Sequence, residues 1–170
     1  QHSRALAYIG CHLARDLDWF NQKSAQKICL AAIIHDYDLT ENLAIIDDLN
    51  ELRNQNTLEA HQQLKKIQNH VQANAKLAQS LEGFGNDAGL MVAHHHERPD
   101  GSGFPRGIDY SQIPPHSAVF ITSEVITHFL WHQLFELRGK EWNHFLDSLG
   151  PPYQSGSFAP VFKRLHKFPA

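Results

Sequence analysis

The sequence predicts an all-α fold, with many helices wrapped around one hydrophobic core. Three observations lead there. Apolar residues recur at three- and four-residue steps through almost every segment, the spacing of one helix face. Nowhere do apolar and polar residues alternate long enough to make a strand. Capping and breaking residues fall between the periodic stretches and cut them to helix lengths. The 170 residues are enough for one domain with a sizeable core.

Taken in order, Leu6, Ile9, Leu13 and Leu17 mark a first helix over 2–19. Asn21 or Ser24 is placed to cap a second, whose buried face runs through Ile28, Ala31 and Ala32 to His35. The paired alanines let a neighbouring helix come close. Thr40 opens a helix through Leu43, Ile46, Leu49 and Leu52. After the break at Asn54, Gln55 and Asn56, Thr57 caps a long helix to residue 81, with Ile67, His70, Asn74, Leu77 and Leu81 on one face. A further helix, capped by Asn86 or Asp87, ends in a run of histidines. Residues 97–115 hold most of the central Gly and Pro and read as a loop. Helices follow over 115–137, then up to a stop at Gly150, Pro151 and Pro152, and finally near Phe162. Trp19, Trp131 and Trp142 fall on apolar faces as core or core-edge residues.

Composition narrows the class. Hydrophobic residues at 42% and charged residues at 19% describe a soluble globular domain. No apolar run approaches the roughly 18 residues of a membrane span, and no signal peptide is visible. Net charge is −3 and the basic cluster at Lys163, Arg164 and Lys167 is short, which argues against a long nucleic acid as partner. Cys11 and Cys29 sit in apolar helical patterns and read as buried, unbridged thiols of a reducing, cytoplasmic compartment. The chain begins at Gln1 with Met91 as its single methionine, and reads as one domain, 1–170, cut from a longer protein. The anomaly is 13 histidines.

Their placement points to a site. Residues 93–105 read AHHHERPDGSGFP: three adjacent histidines, an acid and a base, then a chain broken by Pro99, Gly101 and Gly103. Neutral imidazole is a common ligand of transition metals. Adjacent histidines at a helix end diverge by about 100° and can meet one ion from two sides or face two ions. Glycines beside them let backbone approach a phosphate. His2 opens the first helix, His35 and Asp36 end the second, and His70 points inward among aliphatics. Alone, such a histidine would be a hydrogen-bonded core residue. Glu124 lies among Val119, Ile121, Val125 and Ile126, where a carboxylate requires a cation or a donor. Inward-facing ligands on five helices are explained economically by a dinuclear site, with Asp36 offering one oxygen to each ion. His12, His61, His132, His144 and His166 have no such company and are assigned to surface or packing.

These segments resemble, in order and over nearly the whole chain, the HD-GYP branch of the HD-domain phosphohydrolases. HSRALAYIGCHLA is similar to that family's first ligand helix, AAIIHD to its AALLHD, and HVQANAKLAQSL to its HPxxGxxIL helix. HHERPDGSGFPRG resembles HHExxDGxGYPxG, the most specific match. IPPHSAVFITSEV resembles IPxxARIxAxADV, and SGSFAPVFKRLHKF the closing GxxFDPxxVxxF. The resemblance implies one divalent metal held by His2, His35, Asp36 and Glu124 and a second held by Asp36, His70, His95 and His96. Iron or manganese are foremost, with zinc as the alternative. His94 has no ligand counterpart and is expected to be partly exposed or to lie behind the ligands. His35 and Asp36 would stand at the catalytic centre, where a metal-bridging hydroxide attacks phosphorus of a cyclic dinucleotide, foremost cyclic di-GMP. Arg98, Asp100, Gly101, Gly103, Phe104 and Arg106 would bind substrate. The loop around Phe104 would dock diguanylate cyclase (GGDEF) domains, and an upstream sensor or receiver would make this a C-terminal output domain.

The departures are specific. Asp38 and Leu39 stand where the family has Gly-Lys, removing a phosphate-binding cation. Glu124 replaces Asp, Ala118 replaces Arg, and Phe104 replaces Tyr. Thr127 and His128 stand where DxYDAL would run. A second reading therefore stays open: a degenerate relative that keeps the metals and binds a nucleotide or partner protein with little or no turnover.

Overall fold

The structure is a computed structural model that describes residues 1–39, 55, 57–83, 85–132 and 139–167. Helices α1 (His2–Ala14), α2 (Gln22–Ile34), α3 (Leu58–Ser80), α4 (Gly85–His94), α5 (Pro115–His132), α6 (Gly139–Leu149) and α7 (Ala159–Leu165) are joined by loops and by 3-10 turns at Tyr37–Leu39, Pro151–Gln154 and Gly156–Phe158. Among the described residues there is no strand, so the all-α expectation holds. The helix expected over 40–52, the end of the one expected over 115–137, and the side chains of Trp131 and His132 lie outside the described residues.

Local chemistry sets the ends. Asn21 Oδ1 accepts from the Ser24 amide at 3.1 Å and caps α2, which decides between the two predicted caps. Thr57 does the same for α3 through the Ala60 amide at 3.2 Å. Helix α1 stops at Ala14 rather than continuing to 19. The Leu17 and Phe20 amides bond three residues back, to Ala14 and Leu17, and the tightened turns lead the chain back into α2. Helix α4 begins at Gly85, so Asn86 and Asp87 lie inside its first turn instead of capping it. Asp87 instead accepts from Lys27 Nζ and ties α4 to α2. On α3 the buried face runs through Ile67, His70, Val71, Asn74, Ala75 and Ala78, while Leu77 is exposed.

The main core gathers Leu6, Leu13, Ile28, Met91, Phe120, Ile126 and Leu165, all essentially removed from water. Helix α5 is its axis. Helix α1 packs on it from one side and α4 from another, and α3 lies along α4. A second cluster of Ile108, Ile113, Ala118, Ile121, Tyr153 and Phe158 fastens the glycine-rich loop to the C-terminal turns. A third packs Phe104 of that loop onto Ala60, Ile67 and Val71 of α3. Burying a phenylalanine this way contributes on the order of 2 kcal/mol. Cys11 is half-buried but Cys29 is exposed, against expectation, because it sits on the outer side of α2; the two free thiols are 4.0 Å apart. No described helix is long and apolar enough to cross a membrane.

Candidate metal centre

Five elements bring their ligand-type residues to one place. His2 comes from the first residue of α1, His35 and Asp36 from the end of α2, and His70 from the middle of α3. His95 and His96 follow α4, and Glu124 projects from α5. The small Ala31 and Ala32 allow the end of α2 close to its neighbours. Asn74 of α3 then donates from Nδ2 to the His35 carbonyl at 2.9 Å, both residues being buried.

Two four-residue clusters result. Asp36, His70, His95 and His96 form one, His2, His35, Asp36 and Glu124 the other, and within each the ligand atoms lie within 4.8 Å of one another. Asp36 belongs to both. Its Oδ2 is 3.1 Å from His35 Nε2, and its Oδ1 is 3.4 Å from both His70 Nε2 and His95 Nε2. His70 and His95 bring their Nε2 atoms to 3.3 Å, and His2 Nε2 is 3.1 Å from Glu124 Oε1. Donor atoms bound about 2.1 Å from a single ion stand roughly 3.0–3.4 Å apart, so the separations around Asp36, His70 and His95 suit shared coordination.

The hydrogen-bonding pattern fits the same reading. His35 Nδ1 bonds the Ala32 carbonyl at 3.0 Å and His95 Nδ1 the Val92 carbonyl at 2.6 Å. A carbonyl accepts only from N–H, so Nδ1 carries a proton and each Nε2 faces the cluster. His35 Nε2, Asp36 Oδ1, His96 Nε2 and Glu124 Oε2 are buried without a hydrogen-bond partner. Partnerless polar atoms converging from four buried residues are costly unless a cation meets them.

Electrostatics agree. Burial pushes His95 down, and His96 well below the ordinary range, so both imidazoles are neutral and able to ligate. Burial also pushes His35 down, but Asp36 and Glu124 outweigh it and raise the imidazole to about 9. Burial would raise Asp36 and Glu124, yet the surrounding imidazoles hold both carboxyls below their usual values. A proton on His35 thus occupies a field built for a cation, and a metal ion would displace it.

A cavity of about 480 Å³ opens onto the clusters. His96, Arg98, Asp100, Phe104, Glu124 and His128 line it, with Ser148, Leu149 and Tyr153. The Phe104 ring stacks on His96 at 4.5 Å. A smaller cavity, about 250 Å³, touches His70 and is lined by Asp38, Leu39, Lys66 and Asn69. Of the predicted substrate-binding set, Arg98, Asp100 and Phe104 reach the larger cavity. Gly101, Gly103 and Arg106 do not line it. Gly101 turns the loop at φ +79°, and a Cβ on Gly103 would stand 2.4 Å from the Arg98 nitrogen. Arg106 is exposed.

Sequence reasoning assigned no role to two residues that shape the site. Glu97 is fully buried, and its carboxylate accepts from the Arg106 amide at 2.8 Å and the Ile108 amide at 3.1 Å, closing the loop on itself. His128 bonds Glu124 Oε1 through Nε2 at 3.0 Å; its position one turn beyond Glu124 on the same helix is the signal that could have found it. His94 lies outside both clusters. It is buried rather than partly exposed, bonds Ser117 Oγ at 3.1 Å, and is pushed down to about 4 by burial and by Arg106. Leu39, where the resemblance leads one to look for a lysine, is a buried core residue.

No curated protein and no solved structure matches the chain. Residues 1–120 match the family described as HD domain, which is 120 of the 170 residues and includes every cluster member except Glu124. HD domains bind divalent metals, and members of the superfamily are metal-dependent hydrolases. The chain belongs to the HD domain family.

Proposed function

We propose that this domain is a metal-dependent phosphodiesterase of the HD-GYP kind, acting on a cyclic dinucleotide and foremost on cyclic di-GMP. One observation carries the reading: two four-ligand clusters that share a single carboxylate, Asp36. His2, His35, Asp36 and Glu124 would hold one divalent ion, and Asp36, His70, His95 and His96 the second. An all-nitrogen-and-oxygen donor set suits iron or manganese, with zinc as the alternative. When bound, such ions would supply an acidified water and offset charge on the phosphoryl oxygens.

The chain's own residues would do the rest. Asp36 presents one carboxylate oxygen to each cluster and would be a ligand to both ions. Phe104, stacked on His96, excludes water from that side. Arg98 at the cavity wall holds a phosphate in a bidentate grip. Hydrolysis adds the oxygen of water to phosphorus and breaks one P–O ester bond, the leaving oxygen taking up a proton. The HHERPDGSGFPRG segment supports the HD-GYP assignment, and its loop is the proposed docking surface for a GGDEF-type domain.

The second reading, a metal-bearing binding domain with little turnover, is favoured by Leu39. It fills with a buried aliphatic the place after the His-Asp pair where a cation would help hold phosphate. One experiment separates the two. Protein purified anaerobically and loaded with Mn²⁺ or Fe²⁺ is incubated with cyclic di-GMP, with Asp36→Ala as control. Linear dinucleotide or GMP appearing only with the wild type supports the enzyme. Saturable binding without product supports the binding domain. Neither binding nor product overturns the cyclic dinucleotide assignment.

A further inference from the structure

Glu124 differs from the other members of the two clusters. Its side chain has three rotatable bonds, whereas His and Asp have two, so it has the most freedom to lose on being fixed. Yet its carboxylate is buried in one orientation. Oε1 takes a bond from His128 Nε2 at 3.0 Å and lies 3.1 Å from His2 Nε2. Oε2 has no hydrogen-bond partner and lies 3.8 Å from His35 Nε2. His128 stands one turn further along α5, and its ring meets the His2 ring edge-on, centroids 5.3 Å apart. It is in neither four-residue cluster.

We propose that His128 is a positioning residue for the first metal site: by donating from Nε2 to Glu124 Oε1, and by buttressing His2, it turns Oε2 toward His35 and Asp36. The inference rests on the two-ion reading of the site and deepens it. The physical reason is general. A carboxylate ligand with spare torsional freedom binds a metal well only if a partner behind it sets its direction, and removing such a partner typically lowers metal affinity 10–100-fold.

The test titrates metal-free protein with Co²⁺, whose visible absorption reports ligand geometry, for wild type, His128→Ala, His128→Phe and His128→Gln. Phenylalanine keeps the ring and lacks the donor; glutamine keeps an N–H donor. Wild type is expected to take up two ions. His128→Ala and His128→Phe are expected to bind one of them about 10–100-fold more weakly with an altered spectrum, and His128→Gln to recover most of the loss. If alanine disrupts folding, as thermal unfolding would reveal, the comparison of phenylalanine with glutamine decides. In a Glu124→Asp background the carboxylate falls short by about 1.5 Å, and His128→Phe should then have little further effect.

Equal affinities and spectra in all four proteins would overturn the proposal. A loss that glutamine does not restore would overturn the positioning role by making His128 itself a ligand. Failure of the wild type to bind two ions would bring down the two-ion reading, and this inference with it. The outcomes are distinguishable, because the last is read from the wild type alone and the others from its comparison with the variants.

Discussion

Replacing Glu97 by glutamine changes one oxygen for an NH₂ group and nearly preserves shape. The effect follows from two bonds. The buried carboxylate accepts the Arg106 amide at 2.8 Å and the Ile108 amide at 3.1 Å. Hydrogen bonds to a charged group contribute about 1.5–3 kcal/mol each, and a buried donor left unpaired costs a similar amount. Glutamine can serve one amide but turns its own N–H groups toward the other. The expected loss is about 2–4 kcal/mol for Glu97→Gln, and about 3–6 kcal/mol for Glu97→Ala, which leaves both amides unpaired. For a chain of this size, about 2–4 °C of melting temperature accompanies each kcal/mol. Glu97→Gln should therefore melt roughly 5–15 °C lower in circular dichroism. Hydrogen exchange should show the Arg106 and Ile108 amides losing protection, since the loop is free to open before the core. His96 and Arg98 flank Glu97, so divalent metal affinity should fall in the same variant. A Glu97→Ala protein within about 2 °C of wild type, with both amides still protected, would refute the account of how the loop is held.

Other outcomes follow from single contacts. Gly103→Ala places a Cβ 2.4 Å from the Glu97 Cα and the Arg98 nitrogen, both backbone atoms; urea unfolding should register a loss of about 3 kcal/mol, and an unchanged midpoint would contradict the loop geometry. Asn74→Ala removes the bond to the His35 carbonyl. It should cost about 1–2 kcal/mol and lower metal affinity, and unaltered affinity would show that α3 does not anchor His35. Burial and the neighbouring Cys29 push the Cys11 thiol up to about 12. Iodoacetamide at about pH 8 should therefore alkylate exposed Cys29 faster than Cys11. Equal labelling of the two peptides by mass spectrometry would contradict the burial of Cys11.

Much of this was legible in the residues. The period of Ile67, His70 and Asn74, with a threonine cap ahead of it, is a local property, and α3 follows within one residue at each end. Ligand-type residues on apolar faces are also local, because a histidine or glutamate among aliphatics is anomalous wherever the fold takes it. This is why His2, His35, Asp36, His70, His95, His96 and Glu124, the seven residues of the two clusters, stand out in the sequence itself. What depends on a distant partner was not. Glu97 beside Arg98 reads as an ordinary charged pair; its burial is created by amides 9 and 11 residues away. The stop of α1 at Ala14 is set by the need to turn into α2, although Leu17 still continues the apolar period. Cys29 repeats the pattern of α2 but falls on its outer edge, where periodicity alone cannot fix the boundary between core and surface.

The most direct test of the central claim is metal stoichiometry. Protein purified without oxygen and without added metal is analysed by inductively coupled plasma mass spectrometry beside Asp36→Ala, with chain concentration from amino-acid analysis. Because Asp36 belongs to both clusters, the account predicts two divalent ions per wild-type chain and loss of both in the variant. One ion or none in the wild type, or two retained without Asp36, would contradict a dinuclear centre built on a shared carboxylate.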